Sequence, residues 1–366
     1  MGIAAVILSV SMLLSRILGF LREAVIAFLH GATAATDAYY AAFTLPDLLA
    51  YFLAGGTLSI TFIPLFSSYI SKGDEEGGWR LFSTVATTMG VLLVVFTVVA
   101  EIFAPQIVPV LFPGFDDPDQ LELAIRMTQI VIPAQLAFYG GGLLSATLFV
   151  RETFWPAAVA PLVYNVCIIA GGVLLNPWLG IQGFAVGVVI GAFLGPLGVP
   201  LYASRKRIKF TPRFAPTDPG FKQFLWLTLP LMLGVSLVTV DEWLLKYFGS
   251  AQAEGAISWL TNGRKLMLMA FAMIGQAAGQ AALPFLTRLY HENKLDEMGE
   301  MLAVSIQRVL FLSILAAAGL AALAEPLVFV IFRRGAFSAE AAASTAQVLQ
   351  FFAIGLPAWA TQAMAA

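Results

Sequence analysis

Apolar residues run along this chain in ten long blocks separated by short polar connections, with limits near 3–29, 37–70, 81–112, 121–150, 155–175, 181–203, 221–248, 255–289, 300–332 and 342–366. About 20 predominantly apolar residues suffice for a helix to cross a bilayer, so each block is long enough for one span. The pattern predicts an all-α, polytopic helical membrane protein. Composition agrees: 59% of residues are hydrophobic and 11% are charged, against roughly 25% charged in a soluble domain. The last block reaches the final residue, Ala366, without a charged flank or polar tail, and reads as a chain truncated within a span. The first lacks the small-residue cleavage site of a signal peptide and is expected to be a retained span.

Two blocks carry the same local patterns. Ile63-Pro64-Leu65-Phe66-Ser67-Ser68-Tyr69 resembles Leu283-Pro284-Phe285-Leu286-Thr287-Arg288-Leu289, an offset of 220 residues, and at that same offset Ala104 to Phe112 resembles Ala324 to Phe332. Spans one to four therefore repeat as spans seven to ten. An offset of six spans preserves orientation, so the repeat is parallel and predicts two pseudo-symmetric lobes with a binding site between them near the midplane. The expected division is an N-terminal lobe over 1–213 and a partial C-terminal lobe over 214–366. Basic residues set the orientation. Arg205, Lys206, Arg207, Lys209 and Arg213 lie between spans six and seven, and Lys72, Arg80, Arg151, Arg288 and Lys294 flank the other even-numbered exits. That side is expected to be cytoplasmic, with the amino terminus inside; Arg333-Arg334 runs against the rule.

The charges inside the apolar blocks carry the chemistry. Arg16, Arg22 and Glu23 interrupt the first span, where a basic side chain costs on the order of 2.5–3.5 kcal/mol on insertion scales, so such residues face a bundle interior or a polar path. Arg16 and Glu23, seven apart, fall on nearly one helix face, with Arg22 offset, so the three cannot all pair within the helix. Arg264 lies about ten residues into span eight. Arginine suits planar, bidentate recognition of phosphate oxygens, and a set of arginines reaching one cavity points to a phosphate-bearing cargo.

The acids admit more than one reading. Asp37 either caps the second span or holds an arginine when the cavity is empty. Asp47 follows Pro46, where a kink frees backbone groups, and either satisfies them or lines the cavity. Asp241 and Glu242 lie within span seven; Asp241 is a candidate for cation coupling, whereas Glu242 can pair with Lys246 at i,i+4. Asn165 reads as an interhelical hydrogen-bonding residue, and the glycines at 140–142, 171–172 and 183–187 as close helix contacts. A single cysteine, Cys167, excludes an internal disulfide, and His30 and His291 are too far apart in sequence for a metal site. Neither a P-loop nor an H-E-x-x-H motif occurs, so no cofactor, metal or catalytic activity is expected.

Several segments together resemble the MurJ (MviN) family of lipid II flippases, within the multidrug/oligosaccharidyl-lipid/polysaccharide (MOP) exporter superfamily. They are S-R-I-L-G-F-L-R-E at 15–23, G-A-T-A-A-T-D-A-Y-Y-A-A-F at 31–43, L-P-D-L-L at 45–49, P-x-x-x-x-P-x-x-x-N at 156–165 and N-G-R-K-L at 262–266. The resemblance implies fourteen spans, two six-span lobes plus a terminal pair, with spans eleven to fourteen missing here. It implies alternating access, with the cargo's head group crossing while its polyprenyl tail stays in lipid. The family's functional arginines fall on Arg16, Arg22 and Arg264, and its acids on Glu23 and Asp37. Where the family usually has a basic residue after this leucine motif, Ala50 and Tyr51 stand, and Asp47 replaces a common asparagine.

The expected function is therefore a non-enzymatic flippase for the lipid-linked peptidoglycan precursor in a bacterial inner membrane, with lipid II, membrane lipids and a coupling cation as partners and no nucleic acid. Ala50 keeps a flippase for another polyprenyl-pyrophosphate-linked oligosaccharide in play. Asp37, Asp47 and Asp241 keep a cation-coupled small-molecule exporter in play. A membrane-bound glycosyltransferase would need a sizeable catalytic loop, and no connection is long enough.

Overall fold

The computed structural model describes residues 2–52 and 58–365, with side chains described throughout except at 2–9, 51–52, 58–60, 231–238 and 365. Every apolar block is helical. The first is α1 (Gly2–His30), unbroken through Gly19. In the second, a turn at 42–43 separates α2 (Ala34–Ala41) from α3 (Thr44–Phe52), and α4 (Leu58–Ser71) belongs to the same block. Pro46 falls in the first turn of α3, where its missing N–H costs nothing, whereas Pro64 is inside α4. Then follow α5 (Glu75–Leu111), α6 (Pro118–Val131) and α7 (Ala134–Val150), the last two separated at Pro133.

The next blocks are α8 (Trp155–Leu174), the short α9 (Asn176–Leu179), and α10 (Gln182–Ala192), which passes through a π-helical turn at Phe193–Gly198 into α11 (Val199–Ser204). Pro196 sits in that turn and removes one ladder donor, a common cause of such a bulge. The remainder is α12 (Pro219–Ser250), α13 (Ala256–Phe271) with a second π turn at Ala272–Gln276, α14 (Ala277–His291), α15 (Leu295–Ala322), α16 (Ala324–Phe332) and α17 (Ala339–Ala365). Among the described residues, seven helical stretches are each long and apolar enough to cross a membrane. The first block is interrupted by its three charges, the second by its turn at 42–43, and parts of the second and seventh lie outside the described side chains. The repeat is visible at helix level: α4 and α14 are of similar length and each contains its proline, Pro64 or Pro284.

Two compact units emerge, residues 1–26 with 34–253 and residues 27–33 with 254–366. The units divide beyond α12. The reason is packing: α12 lies on α3, α4 and α5, and its Phe221 and Phe224 enter an aromatic cluster with Phe62, Phe66, Trp79 and Phe82. Within the first unit α8 and α10 approach closely, because a Cβ on Gly171 would lie 2.7 Å from the Cα of Gly187. Glycine here is required by space rather than by backbone angle, as small-residue helix contacts in membranes require. In the second unit α17 packs on α13, α15 and α16, and Ala360 and Met364 meet Ala282 and Val309 in its core.

Candidate functional site

In the first unit, the charge that interrupts α1 is met by a network that includes two other segments of chain, α2 and α8. The Arg22 guanidinium donates from Nη2 and Nε to Glu23 Oε1 at 2.7 and 3.1 Å. Adjacent residues point about 100° apart on a helix and do not normally face each other, so wheel geometry argues against this pair. The long arginine stem turns back to make it. Glu23 is 4% exposed, and its second oxygen accepts from the Tyr40 hydroxyl of α2 at 2.8 Å. Arg22 Nη1 donates to Asn165 Oδ1 of α8 at 3.3 Å, and the Asn165 amide donates to the Pro161 carbonyl at 3.0 Å.

Asn165 is oriented from within its own helix. Pro161 sits inside α8, and the amide of the side chain four residues on adds a bond to its carbonyl while turning its own oxygen toward α1. Ser11 Oγ also donates to the Ala158 carbonyl, tying α1 to α8 a second time. Tyr39 and Tyr164 lie within electrostatic reach of the guanidinium, and Tyr39 packs edge-on against Phe43 and Phe184. A guanidinium has five N–H donors, and the three bonds above leave one on each terminal nitrogen. The arrangement holds a cation in place in an apolar helix bundle and keeps part of its donor capacity for an acceptor such as a phosphate oxygen.

The other expected residues are distributed around this network or lie outside the first unit. Arg16, midway along α1, is exposed. Asp37 is 3% exposed and lies in the first turn of α2, which begins at Ala34. Asp47 is half-buried in α3, and the charges acting on it are Lys246 and Glu242 of α12. Lys246 Nζ lies 3.3 Å from Thr44 Oγ1, so this lysine crosses to α3 instead of serving only its own helix. Asp241 is exposed on α12.

Arg264 belongs to the second unit, in α13, and is 7% exposed. Its guanidinium carbon lies 5.6 Å from the ring centroid of Trp359 in α17, a cation–π contact. Gly263 beside it allows the approach, since a Cβ there would meet Val348 Cγ1 at 2.7 Å. Three partners were not singled out from the sequence: Tyr40, Lys246 in its cross-helix role, and Trp359. Only the tyrosine stood within a quoted motif; the others become partners through helix pairing that no local pattern encodes.

Residues 26–365 match the family described as lipid II flippase MurJ. A protein of Rhizobium meliloti named as a probable lipid II flippase MurJ is 30% identical over 357 residues, 94% of this chain and 66% of the relative. One from Burkholderia cenocepacia named lipid II flippase MurJ is 30% identical over 352 residues, 94% of this chain and 68% of the relative. The chain thus spans about two thirds of the length of the relatives it matches. Among solved structures, a lipid II flippase MurJ in an inward closed conformation superposes with a TM-score of 0.83 at 22% identity, over 98% of this chain and 74% of that one. An inward-facing multidrug-resistance transporter of the MATE family, in the MOP superfamily, gives 0.73 at 16% identity, over 99% and 84%. At these identities the two structures establish the fold alone: that of the MOP exporters.

Proposed function

The chain belongs to the MurJ family of lipid II flippases, a family of multi-pass membrane proteins, and on that premise we propose that the protein moves lipid II, a polyprenyl-pyrophosphate-linked peptidoglycan precursor, across a bacterial inner membrane. Movement is from the cytoplasmic to the outer leaflet, by alternating access and without chemical change to the cargo. The observation that carries the reading is the Arg22 network. A buried cation, neutralised by Glu23 and steered by Asn165, retains N–H donors for the pyrophosphate. A doubly charged phosphate group competes well with the neutral Asn165 oxygen for Nη1, because a charge-assisted bond is roughly twice as strong as a neutral one.

In this reading Arg16, Arg22 and Arg264 bind the head group, and Glu23, Asp37 and Asp47 keep the cavity neutral when it is empty. Asp241, an exposed carboxylate beside Glu242 in α12, is assigned to cation coupling. The amino terminus is cytoplasmic, supported by five basic residues between α11 and α12. The deciding experiment is complementation of a bacterium depleted of its own lipid II flippase, scored by growth and by surface labelling of lipid II. Rescue that is lost with Arg22→Ala or Arg264→Ala, with both variants present in the membrane, is the expected result. Rescue undiminished in both would overturn the assignment. A wild type that inserts but does not rescue would overturn the choice of cargo.

A further inference from the structure

The connection between α11 and α12 is more than an orientation signal. No acidic residue occurs between Glu152 and Asp218, while Arg205, Lys206, Arg207, Lys209 and Arg213 are gathered within nine positions. The segment is not loose on the surface. Thr211 N donates to Ser83 Oγ and Arg213 N to Thr87 Oγ1, both at 3.1 Å, and Phe210 packs edge-on against Phe82 at 6.3 Å. It is a strap bonded along the first turns of α5.

Two cavities lie under and beside this strap, both within the first unit. The larger, about 600 Å³, is within the usual size range of ligand sites, about 300–1,000 Å³. Ile208, Phe210 and Pro212 form one wall, with the period of two expected of extended chain, so that Lys209 and Arg213 are excluded from it. The opposite walls are apolar residues of α5 and α7, and Tyr139 among them spends its hydroxyl on the Val85 carbonyl at 2.9 Å. Val91, Val94 and Val95 on the α5 wall are exposed and continue into the exposed apolar stripe of Val98, Val99 and Ile102. That stripe is a lipid-facing surface, so the cavity opens toward acyl chains.

The smaller cavity, about 300 Å³, has a basic side formed by Arg205, Lys206 and Arg207 and an apolar side that includes Leu148 and Trp155. The Arg205 guanidinium is stacked over the Tyr202 ring at 3.9 Å, which orients it. Among the described residues, none of Arg205, Lys206 and Arg207 is in an ion pair, whereas Arg213 has Asp218 at 3.5 Å. The two cavities adjoin in the chain at Arg207 and Ile208, and one helical turn apart on α7 at Leu144 and Leu148.

We propose that this pair of cavities is a site for an anionic glycerophospholipid, its phosphate head on Arg205, Lys206 and Arg207 and an acyl chain in the apolar cavity beneath the strap. Unpaired basic groups demand an anion, and a lipid-facing apolar cavity next to them demands that the anion carry a hydrocarbon chain; basic pockets between spans on the cytoplasmic side hold anionic head groups in this way. The site is separate from the Arg22 network and does not depend on the identity of the cargo.

The test is lipid binding by the purified protein in mild detergent, followed by native mass spectrometry during titration with phosphatidylglycerol and, in parallel, phosphatidylcholine. Phosphatidylglycerol is expected to bind about tenfold or more tighter. A combined Arg205→Gln, Lys206→Gln and Arg207→Gln variant, all at exposed positions, should bind the two lipids alike. Gly90→Phe, which places a ring in the apolar cavity, should weaken both. Equal binding by the wild type, or a preference that survives the triple substitution, would overturn the proposal. Displacement of phosphatidylglycerol by a few millimolar inorganic phosphate would also overturn it, in favour of a free-anion site.

Discussion

Removal of the Glu23 carboxylate tests whether Arg22 is held by a charge pair or merely packed. In Glu23→Leu the guanidinium loses both bonds to Oε1, and the Tyr40 hydroxyl loses its acceptor. The Arg22 side chain is 22% exposed and that of Glu23 5%, so solvent compensates little. Breaking a buried pair by deleting one partner costs about 3–5 kcal/mol, because it strands the other charge. Replacing both with apolar residues is far milder, since the desolvation of two ions is relieved at once. Arg22→Leu with Glu23→Leu should therefore be nearer wild type than Glu23→Leu alone. The assay is a double-mutant cycle on purified protein, with denaturant titration in mixed micelles and intrinsic fluorescence as the probe. A coupling energy of about 2 kcal/mol or more is expected. Additivity within about 0.5 kcal/mol would show that the two residues do not act as a pair.

Three further outcomes follow from packing. Gly171→Leu should destabilise by about 1–3 kcal/mol or more in the same titration, since its side chain would enter the backbone of α10 at Gly187, whereas Gly299→Leu, where a Cβ meets nothing within 4 Å, should be neutral. Trp359→Leu should cost the second unit about 0.5–2 kcal/mol beyond the volume change through loss of the Arg264 contact, with Trp359→Phe intermediate; equal effects of the two would refute the cation–π assignment. Ser83→Ala with Thr87→Val removes the side-chain acceptors of the strap, and limited trypsin digestion should cut between Arg205 and Arg213 several-fold faster than in wild type, while an unchanged rate would show that the strap is held by its apolar residues alone.

The hydrophobic pattern by itself determined that this is a polytopic helical protein, where its helices fall, and which charges stand inside them. The reason is local: in lipid every backbone N–H and C=O must be satisfied within its own segment, so an apolar block of sufficient length has little choice but helix. Prolines were legible as interruptions for the same reason, although whether Pro46 would divide the second block or only bend it depended on neighbours. Asn165 was recognisable as an interhelical donor and acceptor, because a lone amide in an apolar helix needs a partner.

Which partners the charges take was decided by the tertiary structure alone. Helical-wheel reasoning separated Arg22 from Glu23, yet a flexible guanidinium closes that gap once Tyr40 and Asn165 are brought to either side. Lys246, which spacing alone placed beside Glu242, also reaches Thr44, because α12 packs on α3. The same packing carries α12 into the first compact unit, and the fold of the 205–213 segment over α5 places three of its bases in one cavity and its apolar residues in the wall of another. Periodicity records which side of a helix is apolar; it holds no record of which helix will cover that side, and side-chain chemistry between helices follows from that choice.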